Sequence, residues 1–186
     1  AKVIFDADGD GQSDLSSTSY TQENGEFSLS FSQEEMNLFD LNVNGILDSN
    51  EGRIIVSGGV DSSTNQPFAG TLLADPNASV VTPLTSLISG LMDTGLAKSD
   101  AEQLLSNNFS LSQEVDLTSY DPYENAAKGE STSGDILVAG ARVATLMKQT
   151  EAFVRLLKGA SYTSGEASIA LTTILATKLK ENQNSM

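Results

Sequence analysis

Two stretches of this chain place oxygen-bearing side chains at the spacing a metal ion needs. The longer is Asp40-Leu41-Asn42-Val43-Asn44-Gly45-Ile46-Leu47-Asp48-Ser49-Asn50-Glu51. A twelve-residue calcium loop takes side-chain oxygens at its first, third and fifth positions and glycine at the sixth for a sharp turn. It adds a backbone carbonyl at the seventh, a side chain or held water at the ninth, and a bidentate glutamate at the twelfth. Asp40, Asn42, Asn44, Gly45, Ile46, Asp48 and Glu51 meet these needs in turn. The Ile46 side chain is expected to pack inward while its carbonyl turns to the ion. A polar Asn-Gly turn without an ion is the competing reading, and the unbroken register of matches argues against it.

The shorter stretch is Asp6-Ala7-Asp8-Gly9-Asp10-Gly11-Gln12-Ser13-Asp14. Asp6, Asp8, Asp10, Gly11 and Asp14 fall at the first, third, fifth, sixth and ninth positions of the same scheme, with Gln12 at the seventh. The twelfth is Ser17, which offers no bidentate carboxylate. Closely spaced aspartates repel one another unless a cation sits among them. An acidic turn is the alternative. If an ion binds, weaker affinity is expected than in the longer loop, or a ligand borrowed from elsewhere. Flexible, many-ligand sites suit calcium better than magnesium.

The longer loop is of the EF-hand type, and Ser32 to Phe39 supplies an entering helix, with Ser32 and Glu35 at capping-box spacing. No exiting helix follows. Gly52-Arg53-Ile54-Ile55-Val56-Ser57 reads as a strand. A calcium sensor works by opening a pair of helices, so this loop is expected to act as a structural staple.

Composition narrows the alternatives. The chain has no His and no Cys, which removes Ser-His-Asp and Cys-His catalysis, thiolate and imidazole metal sites and disulfides, and so argues against zinc. Hard, oxygen-ligated cations remain. A net charge of -15 repels nucleic acid and anionic membrane, so neither is an expected partner. No apolar run is long enough to insert in a bilayer, and no signal peptide stands at the start. Either a signal was removed or the chain is a piece of something longer, and the strand-like run at the start favours the second expectation. No carboxylate pair stands out for acid–base work, and the chain is expected not to be an enzyme.

The elements that must hold the loops change character near residue 76. Residues 1–75 read as a β-rich calcium-binding region. Strand-like runs cover Lys2 to Phe5, Ser16 to Thr21, Glu26 to Phe31, Arg53 to Ser57 and Phe68 to Ala74. Glu26 to Phe31 alternates polar and apolar residues after an Asn24-Gly25 turn.

Residues 76–186 read as helical. Thr82-Pro83 opens a helix carrying Leu84, Leu87, Ile88 and Leu91, and Gly95 stops it. Ser99 and Glu102 suggest a second capping box, Asp121-Pro122 a short helix ended by Gly129, and Asp135 to Lys158 the longest helix, stopped by Gly159. Its apolar stripes include Ile136, Val143, Leu146, Met147, Val154 and Leu157. Thr163 and Glu166 suggest a third capping box before Ile169 to Leu179. The expected class is α+β: a β-rich N-terminal region (an Ig-like or partial sandwich) bearing the calcium loops, then an all-α C-terminal region.

Minor motifs read as ordinary structure. Asp61 suits a turn better than a ligand. Asn77 and Asn108 sit in glycosylation-type triplets, and Asp116, Asp121 and Glu124 suit a solvated loop.

The pattern Val3-Ile4-Phe5-Asp6-Ala7-Asp8-Gly9-Asp10-Gly11, followed by Thr21-Gln22-Glu23-Asn24-Gly25-Glu26-Phe27-Ser28-Leu29, resembles the calcium-binding Sdr-B/Cna-B-like β-modules of giant bacterial surface and secreted proteins. The run from Ser57 to Asp61, then from Ala74 to Thr85, is similar to a β-to-α junction in such adhesin-like proteins. The resemblance implies an extracellular or cell-surface setting and a structural or adhesive role. Those repeats carry a strand before the one that begins this chain. An exposed sheet edge would let copies join by strand addition, so self-association into a filament or surface layer is the rival expectation.

Overall fold

The computed structural model describes residues 1–61, 65–68, 70–158 and 164–183. The first half carries β1 (Lys2–Asp6), β2 (Ser19–Tyr20), α1 (Gln33–Phe39), β3 (Arg53–Ser57), β4 (Val60–Asp61), β5 (Gln66–Pro67) and β6 (Thr71–Ala74). The second carries α2 (Pro83–Asp93), α3 (Lys98–Phe109), α4 (Pro122–Ala127), α5 (Thr132–Lys158) and α6 (Ser164–Gln183). Helices and antiparallel strands are both present, with strands early and long helices late.

The main sheet has the order β2-β1-β3-β6, and β4 and β5 form a separate ribbon. Its register explains how a five-residue strand becomes buried on both sides. Val3 pairs with Val56, Ile4 with Ile55, Phe5 with Ile54 and Asp6 with Arg53, while Ile55 pairs with Leu73 and Ile54 with Ala74. Side chains alternate faces along a strand. Ile4, Ile55 and Leu73 therefore share one face, where Ile169 of α6 joins them. On the other face Val3, Ile54, Val56 and Ala74 cluster with Ala78, Phe27 and Leu29. Phe5 continues that face with Leu15, Phe39 and Leu47. Helices cover one side, and α1 with extended chain covers the other. A second sheet facing the first, as an Ig-like partial sandwich requires, is not found among the described residues.

Several expectations change in detail. Glu26 to Phe31 is extended but pairs in no ladder. Its alternation still places Phe27 and Leu29 inward against the sheet, while Glu26 O accepts from Gln22 N and Ser28 O from Ser19 Oγ, beside β2. The expected strand over Ser16 to Thr21 contracts to two residues, and the last strand begins at Thr71. The helix from Lys98 starts at Ala97 as its cap, with no side-chain cap bond. Glu102 is thus past the first turn, and Ala101, Leu104 and Leu105 enter the helical core. Leu146, expected in an apolar stripe, is 43% exposed. Gly159 and Thr163 lie outside the described residues, as do the side chains of Val154, Leu157 and Glu166.

The Thr82 cap forms as expected, accepting from Thr85 N. Leu84, Leu87, Ile88 and Leu91 are each buried, and Leu171 of α6 joins their cluster. A Cβ at Gly90 would lie 2.8 Å from Thr172 Cγ2, so a residue without a side chain lets α2 and α6 approach closely. The outer edge of β6 is occupied by α2: Ser86 Oγ accepts from Leu73 N at 2.9 Å, and Thr85 Oγ1 donates to Leu73 O at 2.8 Å.

Candidate metal centre

β1 and β3 run antiparallel, so the end of β1 and the start of β3 lie side by side. The segment after β1 is loop 1 (6–14) and the segment before β3 is loop 2 (40–51). α1 stands between them in sequence and is tied to both. Ser32 caps it through Glu35 in a full capping box. Glu35 Oε1 also accepts from Ser16 N at 2.9 Å and Ser16 Oγ at 2.8 Å, just beyond loop 1. These donors, led by the Ser16 N–H, lower the Glu35 carboxyl to about 2. The last residue of α1, Phe39, is buried against Phe5, and Asp40 opens loop 2 immediately after it.

Both loops share one backbone design. In loop 1, Asp6 Oδ2 accepts from Gly11 N at 3.2 Å, Asp8 Oδ1 from Asp10 N at 3.0 Å and Asp10 Oδ1 from Gln12 N at 2.7 Å. In loop 2, Asp40 Oδ2 accepts from Gly45 N at 2.7 Å, Asn42 Oδ1 from Asn44 N at 3.0 Å and Asn44 Oδ1 from Ile46 N at 2.9 Å. The partners match position for position. Gly11 and Gly45 both take positive φ, at 80° and 88°, where a Cβ would be strained.

The loops differ in how they close. Glu51, 3% exposed, accepts from Leu41 N at 2.7 Å and Asn42 N at 3.2 Å through one oxygen and from Asp48 N at 2.8 Å through the other. Asn42 and Asn44 both direct their amide groups at Asp48 Oδ2. In loop 1 the closing role moves to Asp14, whose Oδ2 accepts from Ala7 N at 2.6 Å. Asp14 at the ninth position thus meets the same second-position N–H that Glu51 meets from the twelfth. Oxygens of Asp6, Asp8 and Asp14 lie within 4.8 Å of one another. Asp10 is turned aside, with both oxygens taken by Gln12.

The donor set is all oxygen, with carboxylates, amides and backbone carbonyls, and it fits a hard divalent cation. Asp6, Asp8 and Asp14 are brought together as the side chains that could hold one, whereas Asp40, Asp48 and Glu51 of loop 2 form no such cluster among the described residues, the Glu51 oxygens being taken by backbone N–H groups. Ile46 departs from expectation, since its side chain is 52% exposed. The inward apolar residue is Leu47, which joins Phe5, Leu15 and Phe39. Asn77, one of the glycosylation-type positions, donates its side-chain amide to Leu47 O. This ties loop 2 to the connection between β6 and α2.

Loop 1 also meets a basic side chain. Arg53 Nε lies 3.4 Å from Asp6 Oδ2, and Arg53 Nη1 lies 3.1 Å from Asp93 Oδ2 on α2. Burial raises the Asp6 carboxyl above its usual range, while hydrogen bonds from Gly9 and Gly11 and the Arg53 charge work the other way. A cleft of about 460 Å³ opens here, lined by Asp6, Asp8, Arg53, Asp75, Asp93 and Lys98 among others.

A second carboxylate pair was not singled out in the sequence. Burial and then the neighbouring Asp116 raise Glu102 to about 7. Asp116 falls to about 2, because hydrogen bonds from the Thr118 side chain and backbone outweigh its own burial. Glu102 thus makes no capping box with Ser99 and lies beside Asp116, a residue that sequence spacing does not connect to it.

Comparison of the chain with protein-family models, with curated proteins and with solved structures finds no match. No described helix is long and apolar enough to cross a membrane.

Proposed function

We propose that the chain is a calcium-binding structural module, with one ion in each loop fixing the junction between sheet and helices. The carrying observation is the repeated network: two loops far apart in sequence share three side-chain-to-backbone hydrogen bonds at matching positions. That pattern leaves the oxygens of Asp6, Asp8 and Asp14 crowded together, which is costly at neutral pH without a counter-charge. Loop 2 leads into β3, not into a helix, and this supports a staple over a sensor. A staple of this kind suits a secreted or cell-surface protein of the adhesin-like type that the sequence resembles. Calcium is abundant there, and extracellular modules hold it at roughly 10⁻⁴–10⁻³ M. The loop carboxylates are read as ion ligands and not as an acid–base pair, so the reading is a non-enzymatic one.

The rival, a filament or layer subunit joined by strand addition, has weaker support. The β6 edge that a neighbour would use is met by Thr85 and Ser86, and the opposite edge strand, β2, has two residues.

Calorimetric titration of EDTA-stripped protein tests the proposal, followed by melting with and without calcium. Two binding events and a rise in Tm are expected. An ion held only by the folded state at about 100 times its Kd adds ~2.7 kcal/mol, so two ions should raise Tm by on the order of 10 °C. No heat and equal melting temperatures would sink the reading. Sedimentation at high concentration in calcium decides the rival, for which a monomer would be fatal.

A further inference from the structure

Arg53 stands in a row of three across the sheet. Asp6 is its paired residue on β1. On the other side Ile54 pairs with Ala74, and continuing that register by one residue sets Asp75 opposite Arg53. All three point to the side of the sheet that faces α2, by the alternation that puts Ile4, Ile55 and Leu73 there. Asp6 is 1% exposed and Asp75 3%. One guanidinium therefore lies in register between two buried carboxylates and is ion-paired with one of them. Arg53 contacts Asp6 and Asp93. Asp75 Oδ1 accepts from Asn77 N at 2.8 Å, but Asp75 Oδ2 is buried with no hydrogen-bond partner.

A buried carboxylate oxygen without a donor is costly, and Arg53 carries five N–H donors on a long side chain. Asp6, Asp75 and Arg53 all line one cleft. Asp6, whose Oδ2 Arg53 approaches, also supplies a carboxylate oxygen to the crowded cluster of loop 1.

We propose that Arg53 is a built-in competitor for the loop 1 ion, holding Asp6 in the ion-free chain and transferring to Asp75 when loop 1 is loaded. This rests on the reading of loop 1 as a calcium site. Arg53 then sets the affinity of loop 1 without touching the ion, and Asp75 is the residue that receives it. The contact of Arg53 with Asp93 carries the change to α2. Loop 2 has no such competitor, since no ion pair to Asp40, Asp48 or Glu51 is found among the described residues.

The test is calcium titration of the full chain, following the backbone amides of Gly11 and Gly45 by NMR so that each loop is read separately. Four proteins are compared: the unaltered chain, Asp75→Asn, Arg53→Gln and the double variant. Arg53→Gln is expected to tighten loop 1 about tenfold, and Asp75→Asn to weaken it about tenfold, as couplings of contacting residues commonly run. Asp75→Asn in the Arg53→Gln background is expected to change it less than about twofold. Loop 2 should be unmoved throughout.

Equal weakening in both backgrounds would mean that Asp75 acts only through its charge, and no weakening would mean that Arg53 stays on Asp6. Either result overturns the transfer while leaving calcium binding intact. A Gly11 amide that never responds in the unaltered chain overturns the loop 1 reading itself, and this inference with it. Should the Asp75 variant not fold, the Arg53 Nε–Hε signal of the unaltered chain decides. It must shift together with Gly11 and gain a contact to the Asp75 methylene, and a static signal refutes the transfer.

Discussion

Loop 1 and loop 2 begin alike and end differently. Three side-chain-to-backbone bonds coincide, from the glycines at the turn to Asp6 and Asp40 onward, while Asp6 Oδ1 accepts from Gly9 N and Asp40 Oδ1 from Asn44 N. Beyond these bonds, loop 2 closes on the buried Glu51, which gathers three backbone N–H groups. Loop 1 closes on the exposed Asp14, which gathers one. Loop 2 is thus organised by its own closing residue. Loop 1 relies on Arg53 from β3 for part of its charge balance. The same opening motif can be completed from within or from the surrounding fold, and the two solutions differ in how much stability each loop holds before any ion arrives.

The largest effect that would test this contrast is at Glu51. Glu51→Ala leaves three partly buried N–H groups without their acceptor, and should destabilise the ion-free protein by ~2–4 kcal/mol. Chemical denaturation in EDTA measures this, and a loss below about 1 kcal/mol would break the claim that loop 2 is pre-formed. Asp14→Ala is next. With one exposed acceptor removed, the ion-free protein should lose ~1 kcal/mol or less, while the loop 1 calcium event disappears. A loss as large as that at Glu51 would mean that the two closures are equivalent after all.

The smallest effect lies away from both loops and sharpens the comparison by removing a background. Glu102 is raised to about 7 in the folded chain from an ordinary value near 4.5. Between these values the folded state holds a proton that the unfolded state has released, so stability falls as pH rises through that window. Melting in EDTA should therefore drop by several degrees from pH 4.5 to 7. Glu102→Gln should flatten the slope and leave the calcium gain of both loops unchanged. A slope that persists in this variant would assign the pH dependence to the loops instead.

Much of this was legible in the chain. The spacing of Asp40 to Glu51 and of Asp6 to Asp14 is local, and Asx-type turns with glycine at positive φ form from neighbouring residues alone. The Ser32 and Thr82 caps are local for the same reason. Leu47 shows where local reasoning stops. Ile46 and Leu47 are equally apolar neighbours, and only the position of Phe5 on β1 decides that Leu47 turns inward. Glu26 to Phe31 shows the same limit from the other side. Period-two alternation reports which residues face in, but it does not report whether a hydrogen-bonding neighbour lies beside them.

The sequence by itself determined two oxygen-rich loops, the exclusion of thiolate and imidazole chemistry, and strands early with helices late. The tertiary structure alone decided that both loops open at one end of the β1–β3 ladder, and that helices, not a second sheet, cover the face of Ile4, Ile55 and Leu73. It alone set Arg53 between Asp6 and Asp75, and Glu102 against Asp116. The physical reason is range. Turn chemistry acts over a few residues, whereas the charge a buried carboxylate meets depends on which distant strand or helix packs beside it.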